Sequence, residues 1–174
     1  ADVINLESDY SEYYFQDGIG EKIVEEGYAV YVIENRGWGE REINGGLNCK
    51  EPDIYCSGNV LDRQFNNLGY NLKSLQTIDA LQVLQYIKSV DYIDSKNISL
   101  MGLSLGGAIV QNISMLDDDV NSIVIASGLH STYLTSGTAI TPGILEYYDD
   151  PDLISTLAQK PLYLSWGINE NCMY

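Results

Sequence analysis

Ser104 lies between Gly102 and Gly106 in the run Ile-Ser-Leu-Met-Gly-Leu-Ser-Leu-Gly-Gly-Ala-Ile-Val, which extends from Ile98 to Val110. An apolar strand that turns sharply into a helix at such a serine lifts the hydroxyl clear of the backbone, where it can attack an acyl carbon. The spacing predicts that Gly102 and Gly106 remove the Cβ atoms that would clash in the turn. The first free N–H groups of the helix, that of Leu105 above all, then point to where negative charge develops on an attacked carbonyl. In the alternative reading the serine is a cap on a glycine-rich turn and nothing more.

Other chemistries find little support. The net charge is −16 over 174 residues. Nucleic acid and anionic membrane surfaces need clustered Lys and Arg, so neither is expected as a partner. No apolar run approaches the roughly 20 residues that span a bilayer, and the start Ala-Asp-Val-Ile-Asn lacks the pattern of a leader. A hydrophobic content of 45% is enough for one core, and residues 1–174 are expected to form a single domain. With one histidine, and no cysteine at metal-site spacing from another ligand, neither a metal nor a cofactor is expected. Cys49 and Cys56 bracket a short polar loop. A disulfide there places the chain in an oxidising, secreted or periplasmic setting, two free thiols in a reducing one, and both stay open. Cys172 is left over as an incidental thiol.

Strand and helix patterns alternate, which predicts an α/β fold with a parallel sheet and helices on both faces. Tyr13 to Glu26 has helical spacing, with Gly27 as its stop. Tyr28 to Ile33 is the first predicted strand, a continuous apolar run suited to burial on both sides. Asn44 to Gly69 is polar and aperiodic and is expected to be a long loop or lid. Ser74 is expected to cap a helix through Val90, with Leu75, Ile78, Leu81, Leu84 and Ile87 as its core stripe. Asp79 within it is expected to be a polar position at the helix edge or a hydrogen-bond anchor for a neighbouring loop rather than to act in catalysis. After the Ile98 strand and the turn at Ser104, a helix runs from Gly106 to about Leu116 and ends in solvent at Asp117 to Asp119. Ser122 to Ala126 and Leu162 to Trp166 complete four parallel strands, with a short helix near Asp152 to Ala158 between them.

These residues taken together resemble the α/β-hydrolase superfamily, in its acetyl xylan esterase and dienelactone-hydrolase-like branch. The resemblance rests on Gly27-Tyr-Ala-Val with Asn35-Arg-Gly-Trp-Gly-Glu-Arg, the helix around Asp79, the approach from Asp94 to Asn97 and the serine turn. It continues through Pro142-Gly, Tyr147, Asp150-Pro-Asp-Leu and Lys160-Pro-Leu. It implies Ser104 as nucleophile, the Leu105 N–H as an oxyanion donor, and Glu170, three residues after Gly167, as the triad acid, where the family usually has aspartate. It implies a small-molecule ester substrate, an acylated carbohydrate among the candidates, and no cofactor.

The superfamily order is Ser, acid, His, and no histidine follows Glu170; nor does a His-Gly motif precede Tyr13. The expectation is therefore an internal segment of a longer hydrolase, truncated at both ends and inactive alone. The alternative is a hydrolase-like binding module that has lost its base. His130, just past the strand beside the serine turn, is either a substitute base or, as a commoner fate, a pocket-lining or loop-capping residue.

Overall fold

The computed structural model describes residues 18–38, 41, 54–128 and 143–167. Nine elements can be named in chain order: α1 (Ile19–Glu25), α2 (Ile54–Asn67), α3 (Leu72–Lys88), β1 (Ile98–Leu103), α4 (Leu105–Leu116), β2 (Val120–Ala126), a 3₁₀ turn (Ile144–Glu146), α5 (Asp150–Ser155) and β3 (Leu162–Ser165). The strands form one parallel sheet in the order β1-β2-β3.

The register follows from side-chain alternation along each strand. Leu100, Ile123 and Leu162 form one row across the sheet, and Gly102, Ile125 and Leu164 another. These rows face the core. Ile123 and Ile125 are each 1% exposed, and Ile109 and Ile113 of α4 close over them with Ala80 and Leu84 of α3. Ile109 and Ile113 are one helical turn apart and meet the sheet together, while Val110, Gln111 and Ser114 are buried as well, so α4 is covered on more than one side. Each buried isoleucine contributes about 1.5–3 kcal/mol by leaving water. The alternate row, Met101, Val124 and Tyr163, lies on the opposite face, where Met101 and Tyr163 are exposed.

Several expectations are corrected. Residues 28–33 enter no ladder, so the sheet has three strands among the described residues, not four. That run donates Ile33 to the core, whereas Tyr28, Tyr31 and Val32 are exposed. An apolar run becomes a strand only where a partner takes its backbone bonds. The stretch from Asn44 to Gly69 is not all loop, because α2 occupies 54–67 and buries Leu61 and Asp62. Cys56 is in that helix, while Cys49 and Cys172 lie outside the described residues.

Helix α3 starts three residues earlier than expected. Asn71 is its cap and Ser74 donates its backbone N–H to Asn71 Oδ1 at 3.1 Å. Its buried positions are Leu72, Gln76, Thr77, Ala80 and Leu84, four of them in steps of four, and Ile78 of the predicted stripe is exposed. A step of three advances only about 300° on a helix, so a five-member series drifts off the core face.

Asp117 does not end α4 in solvent. It is 7% exposed and accepts from Lys88 Nζ at 2.7 and 2.8 Å, while Asp119 accepts from the same amine at 2.9 Å. Burial works against the ammonium of Lys88, but these hydrogen bonds outweigh it and raise its pKa. Lys160 Nζ donates to the carbonyls of Ser114 and Asp117 at 2.9 and 2.8 Å, satisfying groups that the end of a helix leaves over.

Candidate active site

At the carboxyl end of β1 the chain turns directly into α4 through Ser104. Its φ of 53° and ψ of −117° are strained for a residue with a side chain. Neighbours on both sides hold it there. The Ser104 N–H donates to the Ala126 carbonyl of β2 at 2.8 Å, and the Ser104 carbonyl accepts from the Ala108 N–H at 3.2 Å to close the first helical turn. The residue is exposed, and its hydroxyl makes no capping bond to the helix. The reading of Ser104 as a mere cap is thereby set aside. Leu105 opens α4, so its N–H is among those that intrahelical bonding does not use. Aligned peptide dipoles add partial positive charge at the same point.

The glycine expectation is half right. A Cβ on Gly102 would lie 2.2 Å from the Gly106 carbonyl oxygen and 2.6 Å from the Gly107 nitrogen, so only glycine fits. A Cβ on Gly106 would meet nothing within 4 Å. The second close approach belongs to Gly107, whose Cβ would come within 2.9 Å of the Gly128 Cα and 3.0 Å of Ile125 Cγ2. Neither Gly107 nor Gly128 is singled out by the local spacing around Ser104. The signal that could have found them is a glycine just past the strand beside a Gly-Gly helix start.

Asp79 is an anchor, as expected, and its partners are two arginines. Arg36 donates through Nε and Nη2 at 3.0 and 2.7 Å, and Arg41 through Nη2 at 2.8 Å. The Arg36 backbone carbonyl accepts from Gln76 Nε2 at 2.9 Å, and the Glu34 carbonyl accepts from Arg41 Nη1 at 3.1 Å. The turn after residues 28–33 is thus strapped to α3. The Arg36 bonds, with those of Arg41, hold the Asp79 carboxyl below the usual carboxylate range against the opposing effect of burial. Asp79 in turn raises the pKa of the Arg36 guanidinium. Asn112 of α4 donates to Thr77 Oγ1 at 3.2 Å, linking α3 to the helix that begins at Ser104.

His130 and Glu170 lie outside the described residues. None of the described helices is long and apolar enough to cross a membrane.

The model of the family described as acetyl xylan esterase (AXE1) matches residues 16–135. No curated protein matches the chain. Among solved structures, the chain is similar to a Bacteroides fragilis protein assigned as an acetyl xylan esterase, with a TM-score of 0.69 and 18% identity. The likeness covers 87% of this chain and 43% of that one, and at this identity it is a likeness of fold. The chain spans less than half the length of that protein.

Proposed function

The chain belongs to the acetyl xylan esterase family, and from that premise we propose that it carries the nucleophile of a serine carboxylesterase that removes small acyl groups from a carbohydrate or similar alcohol. Ser104 Oγ attacks the ester carbonyl carbon and gives up its proton to a histidine base. The carbonyl electron pair moves onto oxygen, where the Leu105 N–H receives it. The ester C–O bond then breaks, the alcohol leaves with the proton, and the acyl group stays on Ser104 until water releases it as the acid. Glu170 is the proposed carboxylate that orients the imidazole and stabilises its charged form. His130, two residues beyond Gly128, is proposed as a residue of the same pocket. The observation that carries this reading is the exposed, non-capping Ser104 at a φ of 53° on a helix start.

Mass spectrometry after treatment of the full-length protein with a serine-directed phosphonate tests it. The expected result is one adduct on Ser104, with acetate released from acetylated xylo-oligosaccharides. Ser104→Ala should lower kcat by about three or more powers of ten. A folded full-length protein without a Ser104 adduct would remove the catalytic reading and leave a hydrolase-like binding module.

A further inference from the structure

We infer that Ser127 and Gly128 form a backbone clasp that sets the position of Ser104, and that Gly128 is a positioning residue for the acyl-transfer step; this rests on the reading of Ser104 as nucleophile. β1 and β2 end side by side, with Leu103 opposite Ala126. Beyond that last pair the two chains stay in contact without intervening side chains. Ala126 accepts the Ser104 N–H, and the next residue, Ser127, donates its own N–H to the Ser165 carbonyl of β3 at 2.7 Å. Ser127 has φ 51°, which makes it, with Ser104, one of the two non-glycine residues of positive φ among the described residues. Strain at two neighbouring strand ends is a feature of over-determined, functional backbone.

Gly128 is buried, and its Cα faces the elbow. A Cβ there would lie 2.7 Å from the Gly107 Cα, 2.9 Å from the Ser104 carbonyl oxygen and 3.0 Å from the Gly107 carbonyl carbon. All three are backbone atoms, so no side chain can swing aside to make room. The oxygen concerned accepts the bond that closes the first turn of α4. A push on it moves the helix start, and with it the Leu105 N–H, relative to Ser104 Oγ. Attack geometry tolerates about 0.5 Å, and a misplacement of about 1 Å costs about 100-fold in rate. A methyl at Gly128 demands several tenths of an ångström or more.

The test uses the full-length protein and three variants, Gly128→Ala, Gly107→Ala and the double. Steady-state kinetics on p-nitrophenyl acetate and the second-order rate of phosphonate labelling are measured beside Tm. Gly128→Ala is expected to lower kcat and the labelling rate together by about 10- to 100-fold, with KM within about threefold. Gly107→Ala adds a methyl from the other side of the same contact. Alanine is the better helix former, so this variant keeps its helix and carries the test if Gly128→Ala does not fold. The double should lose less than the product of the two single losses, because one opening of the contact serves both.

Gly20→Ala, whose methyl would meet only Val30 Cγ1 at 3.7 Å, serves as the control with unchanged rates. A lower Tm with kcat and labelling at wild-type values would reduce Gly128 to a packing residue and overturn the inference. Failure of the wild-type protein itself to label would instead overturn the reading of Ser104.

Discussion

Asp79→Asn isolates the strap between the residue 34–41 turn and α3. The carboxylate receives three hydrogen bonds, at 2.7, 2.8 and 3.0 Å, and its side chain is 13% exposed. An asparagine keeps one acceptor oxygen and turns an N–H toward arginine N–H groups, so at least one guanidinium loses its partner. Hydrogen bonds to charged groups contribute about 1.5–3 kcal/mol each when protected. The arginine side chains are 36% and 39% exposed, so water recovers much of that value on removal. The expected loss is about 2 kcal/mol at pH 7.

Urea unfolding followed by fluorescence measures it, with Trp38 reporting on the strapped turn itself, and the m-value should not change. The pH dependence has a definite sign. The Asp79 pKa is pulled below its ordinary value of about 3.8 in the folded protein, so its stabilisation is complete above that value and fades as pH falls through the lower, folded one. The gap between wild type and variant should therefore be flat from about pH 5 to 8 and close below about pH 4. A loss under about 0.5 kcal/mol, or a gap that closes between pH 5 and 7, would refute the reasoning.

Two further outcomes are expected from single substitutions. Gly102→Ala should cost about 3 kcal/mol or more in chemical denaturation, because its methyl meets backbone at 2.2 Å, while Gly106→Ala, with open space and a helical position, should gain about 0.5 kcal/mol. Lys160→Met should cost about 1–2 kcal/mol and speed hydrogen exchange in the last turn of α4, since the Ser114 and Asp117 carbonyls lose a charged donor.

What could be read from the sequence was what is local. The Ser104 turn is spelled by neighbouring residues, and Gly27 stops α1 at a φ of 93° where the glycine punctuates the pattern. Where tertiary contact decides, the letters misled. Ser57, Gly58, Asn59, Asn66 and Asn67 are weak helix formers, yet α2 forms and buries Leu61 and Asp62, a case of packing overriding propensity. Asn71 and Ser74 are both good caps, and only the bond between them decides which one starts α3. Asp117 looks like surface in a run of three aspartates, because Lys88 and Lys160, which reach it, come from 29 and 43 residues away. The contact of Gly107 with Gly128 joins residues 21 apart, beyond any local period.

The two ends of the sheet are held by different means. At the amino end the ties are ionic, with Lys88 on Asp117 and Asp119 and Lys160 on the last carbonyls of α4. Around Ser104 the closest approaches among the described residues are backbone against backbone, at Gly102, Gly107 and Gly128. The 12 residues of α4 separate the two ends by about 18 Å. The start of α4 beside Ser104 is thus held by bare backbone, and its aligned peptide dipoles leave partial positive charge there.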